Sequence, residues 1–459
     1  MSDARPINAD VPAVTTTPES SPQAEPAREP TAPAPQRSRA LPFALKAIGG
    51  TVVLAVVFIV AAILGGGSGG GRPSPSTPAP VGTAQSPTGA ASTRSPAELG
   101  YPGFATSNTT RVGGPDPASS AAGVALAVYP SAELDQRPAA VTLVDAADWQ
   151  AAIAASVLMA APLGPPAGVP PGAERGAPSG APLLISEAGG VPKPTAEALA
   201  SLAPRGSRGS GGAQVFAIGA AAVPAGLTAH RVAARDPVAT AAAIAEFRDR
   251  LFGAPPKHLV VASADEPSFA MPAAAWAARS GDPVLFTGPE ELAAPTAAVL
   301  RRHPRTPVYV LGPSSVLPTS LVRQIAAIDG RVRRVSGEDP VENAIALARY
   351  RDGDFGWNVN DPGHGFVVAR SDSSLDAAAA APLSASGTWG PLLLTDSAAT
   401  LPAALREYLL DVKPGYTTDP TRAFYNHVWV IGDEQQIDLR QQAQMDALAE
   451  LAKIGETGG

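Results

Sequence analysis

Three arginines stand in one frame, Arg-Val-x-x-x-Asp-Pro: Arg111, Arg231 and Arg334. A guanidinium is a planar fork of donors that fits a carboxylate or phosphate bidentately, so three equivalent copies around a shared axis could bind anionic groups. A residue repeated with its unit can equally serve packing, here by bonding the repeat Asp or a strand end. A second concentration of charge is local. Arg301, Arg302, Arg305, Arg323, Arg331, Arg333 and Arg334 stand against one acid, Asp329, giving +6 over a short stretch. Such a patch could meet the phosphates or carboxylates of a polymer. Arg301 and Arg302 also suit a helix end, where cations complement the dipole.

A third group is the run RDGDFGWNVNDPGHG, residues 351–365. Asp352, Asp354, Asn358, Asn360 and Asp361 are hard oxygen ligands in close succession. Their order approaches a calcium loop but misses the EF-hand pattern, because Gly356 takes the fifth position. The same letters make Asx turns without any metal. Trp357 in this run could stack on a sugar or lie against the protein. The histidines, His230, His258, His303, His364 and His427, mostly sit at strand entries or a helix end, without His-x-x-x-His spacing. No Gly-x-Gly-x-x-Gly opens a helix, and with no cysteine there are no disulfides or Cys-ligated metals. The residue pattern therefore gives no catalytic constellation and calls for no cofactor.

The elements that must position these residues repeat. Each Asp-Pro precedes a helical run: ASSAAGVALAVY, VATAAAIAEF and VENAIALARY. Asp is a favoured N-cap and Pro a favoured first helical residue, so Arg-Val reads as the end of a strand feeding a helix. Asp339 and Glu342 also have capping-box spacing. Further on come short apolar runs AVTLVDA, HLVVASA and GFVVARS, then Ala-rich helices, then PLLIS, PVLFT and PLLLT, then another helix, then VFAIG, VYVLG and VWVIG. Near-continuous apolar strands alternating with helices predict small parallel sheets covered on both faces. The expected fold is α/β, with three tandem small parallel-sheet units at 111–230, 231–333 and 334–455. The third unit has no closing Arg-Val-x-x-x-Asp-Pro after it.

This succession resembles the type 2 cell-wall-binding repeat of Gram-positive surface proteins. That family's units carry an Arg-hydrophobic-x-Gly-x-Asp start, an Ala-rich helix with Asp-Ala-Leu, a Pro-Ile-Leu-Leu strand and a strand ending in Gly-Gly. The resemblance covers residues 111 to about 452. It implies a pseudo-trimer of the three units and non-covalent binding of an anionic wall polymer. Pro117, Pro237 and Pro340 depart from the pattern where it has Arg, and the Asp of Asp-Ala-Leu survives only as Asp376, with Ala151 and Phe269 in its place. Asp376 joins the candidate ligand contacts on this ground.

Residues 1–42 are rich in Pro, Ala, Ser, Thr and acids, and are expected to be a disordered cytoplasmic tail. Ala47–Leu64 is a charge-free run of 18 residues, about 27 Å as a helix, which predicts a transmembrane helix over 43–64. Arg37, Arg39 and Lys46 precede it and only Arg72 closely follows, so the head is expected outside the membrane. Residues 65–110 read as a Gly, Pro, Ser and Thr linker. The net charge is −7, which argues against nucleic-acid binding. The sequence thus predicts a non-catalytic, single-pass, extracytoplasmic protein that binds a cell-wall polysaccharide or anionic polymer, with envelope proteins as further partners. The alternatives are an extracytoplasmic hydrolase or transferase with an α/β site, and a protein-interaction scaffold of degenerate repeats.

Overall fold

The computed structural model describes residues 104–170 and 179–454, all within one body. The expected tail, membrane helix and most of the linker lie outside the described residues. Among those described, no helix is long and apolar enough to cross a membrane.

In the first unit β1 (Phe104–Ala105) and β2 (Thr109–Val112) lead into α1 (Pro117–Val128), β3 (Val141–Asp145), α2 (Trp149–Ala155), β4 (Leu183–Ser186), α3 (Lys193–Leu202) and β5 (Val215–Ile218). The second comprises β6 (Ala229–Val232), α4 (Pro237–Phe252), β7 (Leu259–Ser263), α5 (Pro267–Ala270), α6 (Pro272–Ser280), β8 (Val284–Thr287), α7 (Ala294–Arg302), β9 (Val308–Leu311) and α8 (Thr319–Ala326). The third comprises β10 (Val332–Val335), α9 (Pro340–Arg349), β11 (Gly365–Arg370), α10 (Ser374–Ala385), β12 (Leu392–Thr395), α11 (Ala403–Asp411), β13 (Gly415–Tyr416), β14 (His427–Ile431), α12 (Leu439–Ala449) and β15 (Ala452–Lys453).

The Asp-Pro helix starts form as their chemistry requires. Asp116, Asp236 and Asp339 accept from the backbone amides of Ser119, Ala239 and Glu342 at 2.9, 2.7 and 2.8 Å. Each such bond satisfies one of the free amides of a first turn. The capping box expected at Asp339 is displaced by one residue: the Glu342 carboxylate accepts from the amide of Glu338, not of Asp339.

The Arg-Val strands do not pair with the units they introduce. β6 pairs in parallel with β5, and β10 with β9, so each closes the sheet of the unit before it. The strand orders are β4-β3-β5-β6 and β8-β7-β9-β10. The third sheet, β12-β11-β14-β2-β1, is completed by β2, the first Arg-Val strand of the chain. This supplies the closing strand that the sequence of the third unit lacks. It also makes ordered structure of residues 104–110, read from composition as linker: Thr106 and the Asn108 amide both bond the Asp446 carboxylate on α12.

The Ala-rich helices meet at the centre. α10 packs against α1, α2 and α6, and α6 against the 3-10 turn Ser156–Ala160 that continues α2. Ala151–Ala155, Ala273–Ala275 and Ala377–Ala381 are all at most 1% exposed. Small side chains let the helix backbones approach closely, so the hub is held by many short contacts rather than by a few large side chains.

Candidate functional site

The repeat arginines are built alike. Each third strand ends in a glycine of positive φ, Gly219, Gly312 or Gly432, a left-handed turn that L side chains resist. The amide of each glycine donates to the Val of the adjoining Arg-Val strand, at 2.9, 2.9 and 3.0 Å. The arginine one residue earlier folds over the same turn. Arg231 donates to the carbonyls of Gly219 and Ala221, at 2.6 and 2.8 Å. Arg334 donates to those of Gly312 and Leu317. Arg111 reaches Gly432, Asp433 and Ile437 carbonyls and the Gln442 side chain. It is only 4% exposed, and burial holds its pKa below the ordinary arginine value. The three guanidiniums thus clamp the loops that leave the carboxyl ends of their sheets, and that of Arg111 is withdrawn from solvent.

Arg301 and Arg302 end α7, and Arg305 follows at φ 72°. All three are exposed; Arg302 pairs with Glu246. Arg323, Arg331 and Arg333 are exposed too, with Arg333 paired to Asp352. Asp376 differs from its sequence expectation. It sits in the first turn of α10 inside the hub, 1% exposed, and accepts from the Ser373 hydroxyl at 2.6 Å. Burial pushes its pKa up to about 6. It does not reach solvent, because this turn is pressed against α1.

The oxygen-rich loop does not gather its ligands. Asp352 accepts from the Tyr309 hydroxyl and pairs with Arg333. Asp354 pairs with Lys257 and His258, Asn360 bonds Arg349, and Asp361 meets His364. Asn358 takes a left-handed turn at φ 55°. Among the described residues no three His, Cys, Asp or Glu side chains are grouped to hold a metal. The loop instead crosses to the second unit. Phe355 is 1% exposed and stacks on Tyr309, with ring centroids 3.5 Å apart.

Where it lands, the second and third units enclose a cleft of about 410 Å³ lined by Lys257, His258, Trp276, Arg279, Asp282, Asp354, Trp357 and Trp389, among others. Asp282, buried, is its anchor: it accepts from His258 Nδ1 at 2.9 Å, the His258 amide at 3.0 Å and Trp276 Nε1 at 3.0 Å. His258 Nε2 faces Asp354 at 3.1 Å, so a carboxylate holds each ring nitrogen. Burial works against the imidazolium, but the bond to Asp282 and the charges of Asp282 and Asp354 outweigh it and raise the His258 pKa. Sequence reasoning singled out Trp357 and, as a metal ligand, Asp354, and missed the rest. A signal was present: His258 and Asp282 stand just before β7 and β8, which pair in parallel with Val260 opposite Val284, so both fall at the amino-terminal end of the sheet.

Residues 231–322 and 334–440 match the family described as Cell wall binding domain 2. Two solved structures from Clostridium difficile share the fold. Cwp6 is 18% identical over 75% of this chain and 48% of its own, with a TM-score of 0.55. Cwp8 is 20% identical over 75% of this chain and 52% of its own, with a TM-score of 0.52. The chain therefore spans about half the length of each. No curated protein matches the sequence.

Proposed function

From a chain whose second and third units match the Cell wall binding domain 2 family, we infer that the three-unit head is a non-catalytic module that attaches to the cell wall, recognising an anionic wall polymer. The family match over two consecutive units carries this reading. The first unit shares their strand order, and β2 closes the third sheet, so the first and third units are joined through one sheet. The exposed arginines at the end of α7 are the surface for acidic groups on a protein of net charge −7, and the run over 43–64 is its membrane tether. A polymer contacting several units gains avidity from their fixed spacing.

The cleft histidine, His258, is placed for binding rather than for proton transfer. A general base needs a free nitrogen within reach of a substrate proton. Both nitrogens of His258 face carboxylates. Ligands of α/β sheets usually bind at the carboxyl ends of strands. Here the arginine clamps fasten those ends.

Sedimentation of the full-length protein with purified cell walls, at low and high salt, tests the reading. Retention that weakens with salt and falls when Arg301, Arg302 and Arg305 become Ala supports it. No retention in either salt overturns it.

A further inference from the structure

We propose that the cleft between the second and third units is a saccharide subsite, in which the indoles of Trp357 and Trp389 take the faces of sugar rings and Arg279 takes an acidic substituent, carboxylate or phosphate. The proposal deepens the wall-binding reading and rests on it. Three of the five tryptophans in the chain line this one cleft. Indole is well suited to such a place, presenting a broad apolar face to the C–H face of a pyranose and an N–H for its oxygens.

The three rings have different tasks. Trp276 is 5% exposed and locked by its bond to Asp282. It stands edge-on to Trp357, with centroids 5.7 Å apart and planes at 81°, and so fixes the tilt of that ring. Trp357 is half-buried, with its Nε1 turned inward, where it has no hydrogen-bond acceptor among the described residues, so that the ring offers the cleft its carbon face. Trp389 is 36% exposed and sits at φ 51°. A left-handed backbone at a bulky aromatic is strained, and such strain gathers at ligand sites. It leaves an indole standing at the rim.

The charges are arranged to leave one cation free. Lys257 and His258 are both spent on Asp354, and His258 also on Asp282. Arg279, at the exposed end of α6, has no hydrogen-bond or ion-pair partner among the described residues. An unpaired guanidinium beside aromatic faces selects an acidic sugar over a neutral one. The cleft also needs two units at once, since Trp276 and Arg279 come from the second and Trp357 and Trp389 from the third. It therefore exists only in the assembled head.

Tryptophan fluorescence of the full-length protein reads the site directly. The probes are a glucuronate-containing hexasaccharide, a phosphate-substituted hexasaccharide and neutral maltohexaose. The expected result is a saturable spectral change with one of the acidic probes, which also identifies the acid. Trp389→Ala should weaken it at least tenfold. Arg279→Ala should bring the acidic probe down to the neutral one. Both residues are exposed, so melting curves of the variants should match the parent. No change with either acidic probe, or equal affinity in both variants, overturns the subsite. Wall sedimentation separates the two readings: walls retained equally by parent and variants leave wall attachment standing without the cleft, and a saturating probe with no wall retention leaves the cleft standing without wall attachment.

Discussion

The Gly432 amide donates to the carbonyl of Val112 at 3.0 Å, joining the last strand of the third sheet to the first Arg-Val strand of the chain. Beside it, Arg111 uses its guanidinium on three carbonyls and Gln442. Arg111 thus adds buried side-chain bonds to the closure of the head, and the three formally equivalent arginines should differ in weight. Arg111→Ala strands buried acceptors and should cost about 3 kcal/mol. Arg231 is exposed and makes two such bonds, so Arg231→Ala should cost about 1 kcal/mol or less. Chemical denaturation of the two variants side by side measures the ratio. Equal losses would show that Arg111 is no more than another loop clamp.

The hub makes a second demand. Ala379 lies on α10 at 0% exposure, among helices from all three units. Ala379→Leu adds volume where none is free and should destabilise by about 1–3 kcal/mol. Leu410, 40% exposed on α11, is the control, and Leu410→Ala should change stability by less than about 0.5 kcal/mol. Thermal melts of the two variants decide whether the Ala-rich helices are a packed junction.

How far the sequence reaches follows from which interactions are local. Asp116, Asp236 and Asp339 cap helices three residues away, and short-range chemistry of that sort is written in consecutive letters. The apolar runs likewise mark their own strands. Partner choice is different: nothing in Thr109–Val112 says that it joins β14 rather than a neighbour, because the pairing depends on the ring of units closing. The cleft is harder still. Lys257, Trp276, Asp354 and Trp389 come from four separate segments, and only the crossing of the 351–361 loop, pinned by Phe355 on Tyr309, brings them together. That loop's carboxylates looked like metal ligands because their spacing was visible while their partners were not.

Asp376 gives the head a pH dependence. Its carboxyl has a pKa near 6 when folded, against an ordinary 3.8, with burial as the cause. A raised acid binds its proton more tightly in the folded state. Its contribution is fully present below about pH 4 and is lost as pH rises through 6, by an amount on the order of 3 kcal/mol. Asp376→Asn keeps the shape without the charge, and should flatten the fall in stability between pH 4 and 7. A variant whose pH profile overlays the parent's would show that Asp376 is not the titrating group.

His427 works in the opposite direction. Burial depresses its pKa to about 4, only partly opposed by Asp446, while Nε2 meets Thr110 Oγ1 at 3.0 Å across the β14–β2 seam. The stability it lends is present above the ordinary histidine value of 6.5 and is lost as pH falls through 4. Because Thr110 belongs to the closing strand, protonation should loosen that seam before the other two sheets. Hydrogen exchange at pH 7 and pH 4 should show amides of β2 and β14 losing protection while those of β5 and β9 keep theirs, and His427→Asn should reduce that difference. Uniform loss over all three sheets would place the acid-sensitive point elsewhere than the seam.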